Sequence, residues 1–411
     1  MANAPGQEAA TPSRGRFSGW LTIRYFQQIP PPIRSLSLGV LINRTGGYVT
    51  AFLALILSVR HFAALQISLA LVASAVFAIA GSWAGGWSAA RVGPRPTIVV
   101  SMAGSAVFTV LLIFRTPFAV ITILACCAAF FNRAYSPAAA TIIGRLSLPG
   151  ERVTMFAFYQ FSYNIGAAVG PLLGTYLLTR SLTALFLVDA GTSALYALAA
   201  LRIPATAGAS TAARSGAARR SVRQDHRYLI FCVSVIIVAM VYTQSQGALP
   251  LSFRGHHDSL QTLGLLFSAN AIAVIIFQLP ISAAIRNMPT RLPLTVGGFL
   301  ICAGYAILLA GFTLPLLIFS VAFWTVGEML VIPVRPVVAM QMSDEDSHAS
   351  YQGALSTAQT IGQVIGPSVG VFAFSFGATI PWLLCAILLI PATLLPRILL
   401  RHLTPQPPTH T

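Results

Sequence analysis

Runs of uninterrupted apolar sequence leave this chain few folds to choose from. A helix that crosses a bilayer needs about 20 mostly apolar residues, and twelve such runs cover roughly 36–57, 65–86, 97–114, 117–143, 153–178, 183–203, 228–250, 260–285, 292–312, 314–340, 351–377 and 379–400. Six lie on each side of one polar interruption. With 56% hydrophobic and only 8% charged residues, the chain carries far too little charge for a soluble domain of this length. The expected fold class is an all-α membrane protein with twelve transmembrane helices.

A repeat then divides the chain. The stretch YNIGAAVGPLLG at 163–174 returns as QTIGQVIGPSVG at 359–370, so Gly166, Gly170, Pro171 and Gly174 fall on Gly362, Gly366, Pro367 and Gly370. Each pair is 196 positions apart, and the same offset places Pro137 on Pro333. Glycines every four residues line one helix face and let a neighbour approach closely, while the proline opens the backbone ladder beside them. Duplicated hydrophobic units mark many secondary transporters. The expected organisation is a cytoplasmic tail at 1–34, two pseudo-symmetric six-helix bundles at 35–203 and 228–401, a cytoplasmic linker at 204–227, and a second tail at 402–411. The linker is rich in Ala, Gly, Ser and Arg without apolar periodicity and is expected to be disordered.

A net charge of +16 would suggest nucleic acid in a soluble protein, but here its placement is what informs. All 25 basic residues are Arg. With the N-terminus inside, only Arg60, Arg115, Arg180 and Arg254 fall outside, and Arg44, Arg133 and Arg335 lie within spans. The remaining arginines are all inside, a bias that sets both termini in the cytoplasm and favours anionic lipid of the inner leaflet. Arg14, Arg16 and Arg24 interrupt the N-terminal segment, which does not read as a signal peptide. Phe17 to Ile29 reads either as a short piece lying on the membrane surface or as part of a tail. Cys126, Cys127, Cys232, Cys302 and Cys385 sit in apolar runs without metal-ligand spacing and read as core residues.

Polar groups inside apolar runs are costly and mark candidate function. Asn43 and Arg44 interrupt the first run, where Arg44 is close enough to the inner end that snorkelling competes with a cavity role. Asn132, Arg133 and Tyr135 lie in the fourth. Arg133 is too deep to snorkel easily, so it lines a water-filled cavity or is tied to backbone carbonyls near Pro137. Asp189 sits in the outer third of the sixth run, as a proton acceptor or a solvated acid. The seventh run ends in Tyr242, Thr243, Gln244, Ser245, Gln246 and Gly247, suited to a helix that loosens, and Asn270 and Gln278 add polar groups to the eighth. Glu328, near the middle of the tenth, is the residue expected to couple protons, and the repeat sets it opposite Asn132, beside Arg133.

The loop Gly86-Trp-Ser-Ala-Ala90-Arg91-Val-Gly93-Pro-Arg95 resembles the G-x-x-x-D-R-x-G-x-R loop of the major facilitator superfamily, with Ala90 where that family has Asp. The stripe of Gly166, Gly170, Pro171 and Gly174 resembles the fifth-helix motif of its proton-driven drug antiporters. The resemblance implies that helices one, four, seven and ten line a central cavity, where Glu328 and Arg133 face each other. Asn43, Arg44, Asn132, Tyr135, Tyr242, Gln244 and Asn270 are the expected cavity residues, and Glu328, Arg133 and Asp189 the proton-coupling ones. In the family the loop Asp helps latch the two halves on the cytoplasmic side. Here Gly86, Arg91, Gly93 and Arg95 form the expected gate with Asp344 and Asp346, which favour a helix N-terminus and are expected to pair with Arg91 and Arg95 as well. Arg145 stands where many relatives carry an acid.

The resulting expectation is a monomeric, proton-coupled exporter of small apolar or amphipathic molecules, a drug or secondary metabolite, in a bacterial inner membrane. Its partners are a small-molecule substrate, protons and lipid, not nucleic acid. Proton-coupled uptake of a metabolite and a non-transporting receptor are the alternatives. No P-loop, metal cluster or nucleophile constellation points to an enzyme, and no cofactor or metal is expected.

Overall fold

A computed structural model describes residues 29–114, 116–204, 222–255 and 260–401. The expected tails at 1–28 and 402–411, most of the Phe17 to Ile29 piece, Arg115 and the linker residues 205–221 lie outside the described residues. All regular structure among the described residues is helical. The first half contains α1 (Pro31–Gly46), α2 (Tyr48–Val59), α3 (Ala64–Arg91), α4 (Pro94–Leu111), α5 (Phe118–Leu146), α6 (Arg152–Arg180) and α7 (Leu182–Leu201). The second contains α8 (His226–Tyr242), α9 (Ala248–Gly255), α10 (Leu260–Ile285), α11 (Arg291–Ala306), α12 (Leu314–Val331), α13 (Arg335–Met342), α14 (His348–Phe374) and α15 (Ile380–Leu399).

Among the described residues, nine of the expected spans are helical segments long and apolar enough to cross a membrane. The other three have a physical reason to fall short. The first is interrupted at Gly47, between α1 and α2. The fifth and eleventh are α6 and α14, 29 and 27 residues long, whose apolar character is diluted by Gln160, Asn164, Gln359 and Gln363, all turned toward an interior cavity.

The sequence repeat is a repeat of packing. In the first half α1 packs on α6 and α7, α3 on α5, and α4 on α5 and α7. In the second half α8 packs on α14 and α15, α10 on α12, and α11 on α12 and α15, which is the same scheme shifted by one half. The halves meet through α3 with α14 and α6 with α10, a pair of contacts that a pseudo-twofold axis exchanges. The breaks repeat as well. The interruption at Gly47 corresponds to the 3₁₀ turn Thr243–Gln246 that ends α8, so the polar end of the seventh run does leave the α-helical path. Pro333 lies in the turn between α12 and α13, whereas its counterpart Pro137 stays inside α5.

The glycine stripes bring the first helix of each half close to its partner. A Cβ at Gly166 would lie 2.5 Å from the Leu41 carbonyl oxygen, and one at Gly170 would lie 2.6 Å from that of Arg44. In the second half the same test at Gly362 and Gly366 gives 2.6 Å to the Ile236 carbonyl and 2.7 Å to that of Met240. Gly370 abuts the Gln244 side chain, Gly174 is buried on the same face, Pro171 is exposed and Pro367 is half-buried. The start of the second bundle differs from expectation by two residues. Asp225 caps α8, accepting a hydrogen bond from the Tyr228 N–H at 3.0 Å, so the helix begins at His226 inside the stretch expected to be linker.

Candidate functional site

Between the halves lies a cavity of about 550 Å³, walled by α1, α5 and α6 on one side and by α8, its 3₁₀ extension, α10, α12 and α14 on the other. Its size suits a drug-sized molecule. Of the residues singled out by the sequence, Arg44, Asn132, Arg133, Tyr135, Tyr242, Asn270 and Glu328 line it. Three do not. Asn43 turns away and donates to Ser193 Oγ at 3.0 Å, joining α1 to α7. Gln244 donates to the carbonyls of Met240 and Gly366 at 3.0 and 2.8 Å, tying the break after α8 to α14. Asp189 is buried in α7 outside the lining.

The first-half wall is cationic. Arg44 emerges from α1 opposite the close approach of α6, donates from Nη2 to the Tyr135 hydroxyl at 2.9 Å, and stacks its guanidinium 4.6 Å from the centre of the Tyr163 ring. Its buried Nε has no hydrogen-bond partner. Arg133, from α5, has Tyr163, Arg44 and Tyr135 as its polar neighbours and makes no hydrogen bond or ion pair among the described residues. Gln160 donates to Asn164 Oδ1 at 3.0 Å, which leaves the Asn164 Nδ2 donor buried without an acceptor.

The second-half wall holds Glu328, the one acid among the described lining residues. It is 5% exposed, and its Oε2 has no hydrogen-bond partner. Tyr242, Asn270 and Arg335 surround it, and Asn270 is held by a 2.9 Å hydrogen bond to Thr325 Oγ1. Glu328 and Arg133 therefore share the cavity without forming an ion pair among the described residues; the cation whose charge acts on the acid is Arg335 of its own half.

The gate is built differently from the expectation. Gly86 and Gly353 of opposite halves meet backbone to backbone, and Gly93 has the positive φ of 105° that ends α3. Arg91, however, lies over the Trp87 ring at 4.4 Å, and Arg95 donates to the Leu201 carbonyl at 2.8 Å. Both arginines make these contacts within their own half. The contact across the halves comes from Arg145, which donates to the Glu345 carbonyl at 2.7 Å, assisted by a hydrogen bond between Ser82 and Thr360 at 2.9 Å. These contacts join the halves toward the end of the molecule from which the linker departs.

Sequence reasoning missed Arg335, Tyr163, Gln160, Asn164 and the bridging role of Arg145. A signal for the α14 wall was present: Gln352, Ser356, Gln359 and Gln363 recur at helical spacing on one face of an otherwise apolar run, a polar stripe that must turn inward in lipid.

Comparison with known proteins agrees with this architecture. The family model described as Major Facilitator Superfamily matches residues 36–254 and again 230–411. The chain is 25% identical over 379 residues to YqjV of Bacillus subtilis (strain 168), an uncharacterized MFS-type transporter, covering 87% of this chain and 90% of that protein. It is 24% identical over 317 residues to the multidrug resistance protein MdtH of Klebsiella pneumoniae (strain 342), covering 73% of this chain and 76% of that one. Among solved structures, the human organic anion transporter MFSD10 (TETRAN) superposes with a TM-score of 0.72 at 15% identity, covering 89% of this chain and 99% of that one.

Proposed function

The chain belongs to the major facilitator superfamily, a family of membrane transporters, and from that premise we propose that it exports small amphipathic molecules by alternating access, driven by protons. The observation that carries this reading is Glu328: a buried carboxyl in the wall of a central cavity, with one oxygen lacking a hydrogen-bond partner and no ion pair among the described residues. A buried carboxylate is costly unless it is paired or takes up a proton. A wall that is dry in one conformation and wet in the other thus makes Glu328 a proton carrier. One proton moving through 100 mV gains about 2.3 kcal/mol, enough to sustain a useful gradient of cargo.

The excess of arginine at the linker end supports a cytoplasmic location for that end and for both termini. The bacterial relatives support a plasma-membrane location, and the family's usual habit supports a monomer bounded by lipid. Similarity to MdtH supports export. Proton-coupled uptake is favoured by a different observation: the cationic excess of the lining means that a proton on Glu328 and an anionic cargo reinforce each other, which couples them in one direction.

Efflux and uptake are measured in vesicles reconstituted with the purified chain, with and without a pH gradient, for wild type and Glu328→Gln. Gradient-driven movement that the variant abolishes is the expected result, and its direction chooses between the readings. Movement indifferent to both the gradient and Glu328→Gln overturns proton coupling at this residue.

A further inference from the structure

Unsatisfied polarity in the cavity is divided between its two walls. On the first-half wall the unused groups are donors: the half-buried Arg133 guanidinium, which makes no hydrogen bond or ion pair among the described residues and has Tyr163 and Tyr135 beside it, and the buried Arg44 Nε and Asn164 Nδ2. Two guanidinium groups share Tyr135 and Tyr163 as neighbours with no carboxylate between them. The only acid in the described lining stands on the opposite wall and has Arg335 beside it. Like charges held together in a sheltered site repel, and the arrangement is relieved by an anion that accepts from both. Tyr135 accepts from Arg44 Nη2 but is neutral, so it brings no counter-charge to the pair.

We infer that the cavity selects organic anions, molecules whose carboxylate, sulfonate or phosphate head bridges Arg44 and Arg133. The apolar body of the ligand then lies against Val274, Ile332 and Val364 of the second half. Planar guanidinium groups suit oxyanions through paired N–H donors. This inference rests on the transporter reading only for the meaning of the cavity, and not on the direction of transport.

The test is equilibrium binding to the purified full chain in lipid nanodiscs, using radiolabelled 2-naphthoate and its unlabelled sulfonate, primary amide and methylammonium counterparts as competitors. The two anions are expected to bind at least tenfold more tightly than the amide, and the ammonium compound most weakly. Arg133→Gln is expected to erase that preference, and an unchanged size-exclusion profile and melting temperature are the check that the variant is folded. Arg133→Lys, which keeps the charge and loses the fork, should retain part of the preference. An amide or ammonium compound that binds as well as the carboxylate overturns the inference, as does a series in which nothing binds, or a preference that survives both Arg133→Gln and Arg44→Gln. Counterflow of the same compounds in vesicles separates the two proposals: anion binding without any movement sinks the transporter reading alone, while movement of neutral or cationic compounds only sinks the anion site alone.

Discussion

Asn43 and Arg44 are adjacent in sequence and do different work, because successive side chains on a helix point about 100° apart. Asn43 faces α7 and bonds to Ser193, whereas Arg44 faces the cavity and bonds to Tyr135. Asn43→Ala is expected to leave Ser193 short of a buried partner and to cost roughly 1–2 kcal/mol of stability, read as a lower melting temperature in detergent with ligand affinity unchanged. Arg44→Gln should show the opposite pattern, near-normal melting with altered ligand binding. A second buried clamp lies at the linker end. Tyr228 donates to the Tyr351 carbonyl at 2.6 Å, and Tyr351 donates to Asp225 at 2.9 Å. Tyr351→Phe should cost about 1 kcal/mol or more by stripping a charged acceptor of one bond, measurable in the same melting assay.

At the scale of the helices, what sets the shape of the cavity wall is how near α6 comes to α1. Leu41 and Arg44 present carbonyl oxygens to Gly166 and Gly170 at distances that admit no side chain. Gly170→Val must therefore push the two helices apart, and overpacking of a closed interface costs about 1–3 kcal/mol or more. The expected outcome is a sharp loss of folded protein on size-exclusion chromatography, together with lost ligand binding because Arg44 is displaced. Gly191 in α7 is the control: a Cβ there meets nothing within 4 Å, so Gly191→Ala should be neutral or slightly stabilising through helix propensity. A melting temperature that falls equally for both would mean that the stripe is not a packing device.

For the molecule as a whole, the proposed alternating access sets two arrangements of the halves against each other, and Gly86 against Gly353 with Arg145 to the Glu345 carbonyl joins the halves in this one. A hydrogen bond to a charged donor contributes about 1.5–3 kcal/mol, which corresponds to a population change of roughly tenfold or more. Arg145→Ala, and more strongly the wedge Gly353→Leu, should shift the population toward a form open at the linker end. Spin labels at the linker ends of α5 and α14 would report this as a longer distance between them; unchanged distance distributions in both variants would show that these contacts do not hold the gate.

Much of this protein was settled before any tertiary contact was known. Lipid supplies no hydrogen bonds, so long apolar runs must close their own backbone bonds as helices, and the number, order and pairing of the spans follow from runs and repeat. The glycine stripe announces its packing for the same local reason: a missing side chain is legible wherever it stands. Five of the seven expected cavity residues, with Arg133 and Glu328, line the cavity because polar groups in apolar runs have few places to go. What one dimension could not show is which face of its helix each polar residue occupies once the neighbours are in place. Asn43, Gln244 and Asp189 lie outside the lining although they are as polar as those within it, because α7 and α14 claim the first two for packing and the third stays buried in α7 away from the cavity. Nor could the sequence say that Arg91 and Arg95 would be held by their own half while Arg145 crosses to the other. The choice among possible partners depends on distances between residues roughly a hundred or two hundred positions apart, and only the packed helices set those distances.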